Sequence, residues 1–454
     1  MELREKMRWI FYSDLLQDEY TQCKREGRDV ADLKAEVEAV LAMHSSQEKE
    51  DKSRALILQM ENRVVLHNCN LHEPSTYAQI ISLLPDSYQQ NYPYDEHMLA
   101  QKVKGAWYGR LSGCMLGIPV ESWTRERIHG YIKESGAWPL QNYMTGKVAD
   151  EVRAKYGVED YDPGTPYDRQ TTCWIEFLKG YPVDDDVNYM MLALKVIERF
   201  GKGFTAENMA ETWLFSMAAF QACTAERVAY RNLLNGKLPP ECAVYGNPFR
   251  EWVGAQIRGD VFGYVVPGNP HLAAKMAFED ASISHVKNGI YGEMFVAALI
   301  SLCYCDMPMK ERVRIALEQI PPNSRAYQVI VDVLYAYKNG KSFHQQVEDV
   351  HSLYNEKEFF DWCYVIPNLM LVVINVLYWQ NDFEAAITQT VLSGFDTDCN
   401  GATVGSIVGL ALGFDAIPLK WYADIEQTVA SGIHGFSSMC LEELISKTLG
   451  LIPY

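Results

Sequence analysis

Residues 105–121, GAWYGRLSGCMLGIPVE, and residues 401–418, GATVGSIVGLALGFDAIP, share one regularity. In each stretch a glycine recurs every four residues, four times, and a proline follows. Each glycine inside a helix destabilises it by roughly 0.5–1 kcal/mol relative to alanine, so eight of them must serve a purpose. A bare glycine face lets another helix approach closely. The sequence therefore predicts two central helices that pack against each other, or against neighbours, through their backbones.

A membrane dimerisation face is the alternative explanation of such glycine stripes. It fails here because both stretches are short and carry polar residues, namely Arg110, Ser112, Thr403 and Ser406. In addition, the chain has no run of about 18 apolar residues of the kind that spans a bilayer.

Hydrophobic periodicity is helical almost everywhere else in the chain. Segments before residue 70, such as DVADLKAEVEAVLAMH and DKSRALILQMENRVVLH, predict two or three helices. Further amphipathic helices are predicted at 205–220, 221–235, 271–284, 290–304, 309–319, 324–338, 365–379 and 382–393. The best alternating strand patterns, VVLHNC and FGYVVPG, are short, so the predicted fold class is all-α.

Composition changes divide the chain into two expected parts. Residues 1–95 read as a helical N-terminal extension with a Pro- and Tyr-rich connector, and residues 96–454 as the main domain. A long loop-like region is expected at about 137–170, where AWPLQNYMTGK and YDPGTPYDRQTT are rich in Pro, Gly, Tyr and Asp. Loops of that length in a compact domain are usually functional or lie on the surface.

The overall charge limits the partners of the protein. Its 454 residues carry a formal net charge of -18, which argues against nucleic acid or an anionic membrane as the main partner. The 11 cysteines form no CxxC pair, and the N-terminus MELREKMRWIFYSDLLQDEY has no signal-peptide core. We therefore expect a cytoplasmic protein.

Three adjacent aspartates precede a hydrophobic helix in YPVDDDVNYMMLALKVIERFGKG, residues 181–203. Asp184 is the expected N-cap, with Asp185 and Asp186 in the first turn near the positive end of the helix dipole. Capping alone would explain one aspartate and leaves two in surplus. Adjacent carboxylates repel each other unless a helix N-terminus, a cation or water offsets the repulsion.

A second pair of aspartates, Asp396 and Asp398, begins the second glycine helix in SGFDTDCNGATVG. DTDCNG matches the first half of an EF-hand loop, but its twelfth position is Ile407 where a bidentate glutamate is required. The simpler hypothesis is that both helix N-termini converge on one carboxylate pocket. Such a cluster requires divalent cations, and its oxygen ligands favour Mg, Mn or Ca over zinc.

Three motifs together resemble the ADP-ribosylglycohydrolase family: DDDVNYMMLAL, FDTDCNGATVGSIVGLALGFDAIPLKW and GAWYGRLSGCMLGIPVESW. The resemblance covers about residues 100–425, with the motifs in the family's order. It implies a compact orthogonal helical bundle with two Mg²⁺ ions per site, Mn²⁺ being an alternative. It also implies hydrolysis of the bond at C1 of an ADP-ribosyl group, on a modified protein or a small molecule.

The resemblance also assigns residues. By position, Asp185 and Asp186 match the family's first metal pair, and Asp396 and Asp398 the second. Glu121 matches an acidic residue that contacts metal or activates water. The segment ISHVKNGIYGE resembles the stretch that lies along ADP-ribose, with His285 as the best candidate contact.

Two positions depart from the family pattern. Asp184 stands where a threonine usually precedes the first pair, and Cys399 where a threonine often follows the second. Because a thiol is a poor ligand for a hard cation, Asp184 is a further candidate metal ligand. The substrate loop is also altered, with Gln256 in the nearest segment, which leaves the leaving group open.

Cleavage of a ribosyl C1 bond requires a positioned water and a base that accepts its proton. Glu121 is the expected base, with Asp186 of the metal cluster as the alternative. If Glu121 is not catalytic, its expected role is a salt bridge at a helix end. Tyr291 is a candidate for stacking on the substrate and Gly289 for a close approach to phosphate. Core packing for Tyr291, a turn at Gly289 and a buried hydrogen-bonded role for His285 remain open.

Two other function classes stay open at this level. An N-glycosidase acting on a free nucleotide or nucleoside derivative would keep the metal cluster and change only the rim of the site. A non-catalytic structural or binding relative is disfavoured because the matching carboxylates are retained. The N-terminal helices are expected to mediate self-association or to cover an apolar face of the main domain.

Overall fold

The computed structural model describes residues 3–66, 71–160 and 172–452. Its N-terminal part contains five short or medium helices. These are α1 (Leu3–Lys6), α2 (Tyr12–Arg25), α3 (Lys34–Leu41), α4 (Gln47–Glu61) and α5 (Tyr77–Ile81).

The rest of the described chain is also built from helices. The first group is α6 (Leu99–Gly117), α7 (Arg125–Glu134), α8 (Asp150–Tyr156), α9 (Asp185–Phe200), α10 (Ala206–Ser216), α11 (Thr224–Leu234), α12 (Glu241–Val244), α13 (Asp260–Tyr264), α14 (Pro270–Ala281) and α15 (Asn288–Leu302). The second group is α16 (Met309–Leu317), α17 (Arg325–Lys338), α18 (Phe343–Leu353), α19 (Phe359–Cys363), α20 (Val365–Tyr378), α21 (Phe383–Leu392), α22 (Thr397–Leu412) and α23 (Leu441–Gly450). The described part of the chain thus has the all-α fold that the sequence predicts.

The centre of the molecule is the antiparallel pair α6 and α22, which meet through their glycine faces. A Cβ atom added at Gly109 would lie 2.1 Å from the carbonyl oxygen of Gly405, and one at Gly113 would lie 2.0 Å from that of Gly401. No side chain fits at such distances. The predicted contact of two helices through bare backbone is confirmed.

Helix α15 supplies a second central element and is buried along its whole length. It packs against α14 and α13, and a Cβ atom at Gly263 of α13 would lie 2.5 Å from Cγ2 of Ile300. This close packing explains why FGYVVPG is not a strand: its first residues belong to α13, and short apolar runs do not distinguish a strand from a buried helix.

The N-terminal helices lie against the rest of the chain through buried ion pairs. The guanidinium group of Arg250 contacts Glu19 and Glu26 of the extension at 2.7 Å each. Arg325 contacts Glu73 and Glu251 at 2.7 Å each. The extension therefore covers part of the main body; its role in self-association, and the boundary near residue 95, stay predictions.

The eight helices predicted between residues 205 and 393 are present within a few residues of the expected bounds. The loop-like region at 137–170 differs because α8 interrupts it, and its segment 161–170 lies outside the described residues. VVLHNC forms one isolated bridge, between Val65 and Arg28, before residues 67–69, which also lie outside them.

One small sheet was not expected from the sequence. Strands β1 (Thr428–Ala430) and β2 (Ser438–Cys440) pair antiparallel near the C-terminus. Among the helices that the structure describes, none combines the length and apolar character needed to cross a membrane.

Candidate metal centre and substrate cavity

The first aspartates occupy the N-terminus of α9 as predicted. Asp184 is the N-cap, and its Oδ1 accepts a hydrogen bond from the backbone N–H of Asp186 at 3.1 Å. Asp184 and Asp186 are buried, whereas Asp185 is half-buried. Asp185 is thus the most accessible of the three aspartates.

The second aspartates occupy the N-terminus of α22, next to the end of α6. Asp396 is the N-cap residue, and the hydroxyl of Thr397 donates a hydrogen bond to the carbonyl of Gly117 at 3.0 Å. A Cβ atom at Gly117 would lie 2.4 Å from Cα of Asp398. The glycine contact between α6 and α22 therefore extends to the carboxylates themselves.

The two helix N-termini meet in space. The ligand atoms of Asp185, Asp186 and Cys399 all lie within 4.8 Å of one another, and so do those of Asp396, Asp398 and Cys399. Cys399 is common to both groups, so its thiol lies between the two aspartate pairs. Segments about two hundred residues apart in the sequence thus form one cluster.

Asp184 belongs to a third group at the back of the cluster. Its carboxylate, that of Asp186 and the thiol of Cys114 lie within 4.8 Å of one another. Asp184 is not on the wall of the adjoining cavity, so it reaches the cluster from the interior side. Its part as a metal ligand remains a prediction.

The guanidinium group of Arg110 is in direct contact with the cluster. Nη2 of Arg110 donates to Oδ1 of Asp186 at 2.8 Å, and Nη1 lies 3.1 Å from Oδ1 of Asp260. Burial nevertheless raises the pKa of Asp186 well above its ordinary value, because Arg110 only partly offsets desolvation and the neighbouring aspartates. Burial and Asp398 raise the pKa of Asp396 in the same way.

The donor atoms of the cluster fit a divalent cation. Oδ2 of Asp186 and Oδ1 of Asp396 are buried and accept no hydrogen bond from the described residues. Buried carboxylate oxygens without donors are unfavourable unless a cation or a proton neutralises their charge. The two aspartates in each group are hard donors, whereas the Cys399 thiol that both groups share is a soft one.

A cavity of about 510 Å³ opens beside the cluster. Asp185, Asp396, Cys399 and Glu121 lie on its wall. Glu121 follows a short 3-10 turn (Ile118–Val120) that continues α6, and its negative charge contributes to the raised pKa of Asp396. The proposed base therefore lies next to the second aspartate pair and faces the cavity.

The structure does not bring the four predicted substrate contacts to this wall. Gln256, His285, Gly289 and Tyr291 are buried and absent from the lining of the cavity. The hydroxyl of Tyr291 donates to the carbonyl of Pro74, which ties the N-terminal extension to α15. A Cβ atom at Gly289 would meet the carbonyl of Arg250 at 2.8 Å, so this glycine serves packing.

His285 lies one layer below the cavity. Its Nδ1 is 2.8 Å from the hydroxyl of Ser284 and 4.0 Å from a carboxylate oxygen of Glu226. Burial and the nearby Arg258 hold its pKa well below the ordinary value, so the ring is neutral. For these four residues, contact with substrate stays a prediction, and any effect of His285 from this position would be indirect.

Glu226 is a cavity residue that sequence reasoning missed. It lies near the start of α11, and its Oε1 accepts a hydrogen bond from Nη1 of Arg258 at 2.7 Å. Burial raises its pKa to about 7, with Arg258 opposing the shift and Asp185 adding to it. No motif marked it, because a single glutamate in an amphipathic helix is ordinary.

The walls of the cavity are unusually aromatic. Five tryptophans line it among the described residues: Trp9, Trp123, Trp174, Trp252 and Trp362. They come from separate segments of the chain, so only the folded structure reveals the group. Aromatic walls next to a carboxylate cluster suit a ligand that has both a flat apolar part and a polar hydroxyl-rich part.

Comparisons with known proteins identify the family of this chain. Residues 95–452 match the family model of ADP-ribosylglycohydrolase. A solved structure described as an ADP-ribosylglycohydrolase-related protein complex is similar, with 18% sequence identity, 78% of this chain and 98% of that chain covered, and a TM-score of 0.47. No curated protein sequence matches. Because the family match extends over most of its length, the chain belongs to the ADP-ribosylglycohydrolase family and is a glycosidic-bond hydrolase.

Proposed function

We propose that the protein hydrolyses the C1 glycosidic bond of an ADP-ribosyl group with the help of a dinuclear magnesium site. The observation that carries the proposal is the meeting of two aspartate-bearing helix N-termini, those of α9 and α22, at one wall of a cavity. Membership of the family supports the reaction class. The substrate and the metal are our inference.

The proposed metal ligands are the aspartates of the cluster, Asp184, Asp185, Asp186, Asp396 and Asp398. Divalent cations bound there would orient ribose hydroxyls and lower the pKa of a water molecule. Magnesium is the first choice because the donors are carboxylate oxygens, and manganese is the alternative because it tolerates a mixed donor set better.

Glu121 is the proposed general base. It faces the cavity beside Asp396, where its carboxylate can accept a proton from water as the water attacks C1 of the ribose. Asp186, the other candidate, is fully buried and hydrogen-bonded to Arg110, which suits a ligand better than a group that exchanges protons with substrate.

The shape of the cavity supports a substrate with an aromatic base. About 510 Å³ is within the usual range for sites that bind drug-sized ligands, and the tryptophans offer stacking surfaces for adenine. An ADP-ribosylated protein would present the same group from outside through the cavity mouth. The chemistry of the wall is the same for either source.

Turnover assays test the proposal and separate it from its alternative. Purified protein with magnesium is given an ADP-ribosylated protein, an ADP-ribose derivative and a free nucleoside, and the released products are quantified. We expect release of ADP-ribose, loss of activity on chelation, and a large loss in Glu121→Gln. Release of base from the nucleoside alone would identify an N-glycosidase, and no magnesium binding by calorimetry would contradict the metal site.

The cellular setting remains part of the proposal. All ten described cysteines are free thiols, which agrees with a reducing compartment such as the cytoplasm. The net charge of -18 still disfavours nucleic acid as a partner. Gel filtration of the full chain would show whether it self-associates.

A further inference from the structure

The N-terminal extension contributes part of the cavity wall. Arg8 and Trp9, in the turn between α1 and α2, line the cavity together with Glu121, Asp185 and Asp396. Both residues lie far outside the stretch that matches the family, which begins at residue 95. This wall is therefore a feature of this chain's own extension.

Arg227 of α11 fixes the turn in place. Its guanidinium group donates hydrogen bonds to the backbone carbonyls of Lys6 and Arg8 at 3.0 and 3.2 Å, and to those of Phe220 and Ala222 at 2.9 and 2.7 Å. Arg227 is buried, and the helix it belongs to also supplies the cavity residues Thr224 and Glu226. Arg227 thus joins the turn to the helix that supplies other residues of the cavity wall.

The backbone of Trp9 is held in an unfavourable conformation. Its φ angle is 69°, in the left-handed region that L-residues other than glycine rarely adopt. Residues persist in such conformations where the surrounding structure holds them, and they concentrate at functional sites. Here the conformation leaves the indole ring on the cavity wall with only 8% of the residue exposed.

Arg8 is the only basic residue among the described residues that line the cavity. Its side chain forms no ion pair with any described carboxylate, and the guanidinium carbon lies 4.1 Å from the centre of the Trp9 ring. Arg8 is exposed, so its charge faces solvent and the cavity. All other charged groups on the described wall are carboxylates.

We propose that Arg8, supported on the ring of Trp9, binds the diphosphate of the substrate and so selects a ribosyl group attached to a nucleoside diphosphate. Among the described residues of the wall, Arg8 is the basic side chain available to a diphosphate, and arginine pairs with phosphate through two parallel N–H donors. The proposed function already places the ribose at the aspartate cluster, and this inference rests on that placement.

The first test is the affinity for ADP-ribose, measured by calorimetry with magnesium present. We expect Arg8→Ala to weaken binding about tenfold, since a hydrogen bond to a charged group is lost. Arg8→Lys should recover part of the affinity because it keeps the charge and loses the paired geometry. Arg4→Ala is the matched control: Arg4 lies on α1, pairs with Asp14 at 2.8 Å and does not line the cavity.

The second test separates binding from a structural effect. If Arg8 contacts a part of the substrate remote from C1, Arg8→Ala should raise KM with little change in kcat, and increasing salt should reduce the difference from the wild type. Unchanged affinity in Arg8→Ala, with the wild type binding ADP-ribose, would overturn this inference and leave the proposed function standing. A wild type that does not bind ADP-ribose would overturn both.

Discussion

Two groups of buried carboxylates in this protein, Glu26 with Glu73 and Asp186 with Asp396, differ in their electrostatics. At the interface between the extension and the main body, Glu26 and Glu73 have pKa values below the ordinary value, because Arg250, Lys287 and Arg325 surround them. At the junction of α9 and α22, Asp186 and Asp396 have raised pKa values, because desolvation and the neighbouring carboxylates outweigh the opposing charge of Arg110.

We propose that the difference distinguishes a structural cluster from a functional one. Buried carboxylates that form ion pairs with arginine or lysine need no further partner. Removing the basic side chain destabilises the folded protein, because the carboxylate is left buried and unpaired. Buried acids that repel one another need a ligand to complete them. The sequence alone shows glutamates and aspartates in both places, so the surrounding cations make the distinction.

The largest expected effect is the loss of activity when one carboxylate at the junction of α9 and α22 is replaced by an amide. Asp185→Asn or Asp398→Asn should lower turnover by roughly 10³-fold or more, because a proposed ligand of the catalytic cation is lost. Circular dichroism should remain helical, and calorimetry should show weaker magnesium binding. Asp306→Asn, at an exposed position, is the control; full activity in either cluster variant would contradict the assignment.

The converse experiment removes a positively charged side chain from the cluster at the interface between the extension and the main body. Arg250→Met should lower the free energy of unfolding by about 3 kcal/mol, because Glu19 and Glu26 are left buried without their partner. Magnesium affinity should be unchanged. Urea denaturation measures the stability, and Arg314→Met, whose ion pairs are exposed, should change it by less than about 1 kcal/mol. Equal losses in both variants would remove the distinction between the clusters.

The pH dependence of stability should also separate the two clusters. A carboxyl group whose pKa is raised by folding stabilises the folded state below its ordinary value, 3.8 for Asp186 and Asp396, and this contribution is lost as the pH rises through the folded pKa. Glu26 and Glu73 have lowered values, so their contribution is present above 4.5 and lost only at lower pH.

Without divalent cations, the melting temperature should therefore fall by a few degrees as the pH rises from about 5 to about 8. Magnesium should remove part of this slope, since it neutralises the aspartates, while other buried carboxyls with raised pKa values, such as Glu226, contribute in both conditions. Thermal scans with chelator and with excess magnesium measure the difference. If the melting temperature falls equally with pH in both conditions, the cluster does not bind magnesium.

The smallest expected effect concerns the thiol between the two aspartate pairs. Burial and the surrounding aspartates raise the pKa of Cys399, so without a cation the thiol stays neutral and offers a hard cation little. Cys399→Thr should strengthen magnesium binding several-fold, to about tenfold, by calorimetry. Cys114→Ser, at the other thiol near the cluster, is the comparison. Weaker magnesium binding in Cys399→Thr would indicate that the thiol is itself a ligand.

Local signals in the sequence predicted much of this structure. The glycine stripes identified α6 and α22 as partners, and the run of aspartates identified the N-terminus of α9 and its cap, Asp184. These predictions succeed because spacing within one helix determines which residues share a face. The short alternating pattern of FGYVVPG is uninformative for the converse reason: packing against α15 determines that segment.

Features that depend on distant residues could not be read from the chain. His285 and Tyr291 lie in a segment that resembles the family, yet neighbouring side chains cover both. Arg8 and Glu226 have no distinguishing motif, and only their position on a common wall brings them to notice. A buried ion pair such as Glu19 with Arg250 joins residues whose numbers differ by 231.

The backbone contact of α6 with α22 has a consequence for how this site can change. Glu121 follows one of these helices and Asp396 begins the other, so the gap between them is set by main-chain atoms that have no rotamers to adjust. Substitutions on the surrounding walls can therefore alter which molecule is admitted without shifting the acidic groups. New specificities could then arise through changes in the walls alone, while the spacing of the acidic groups is retained.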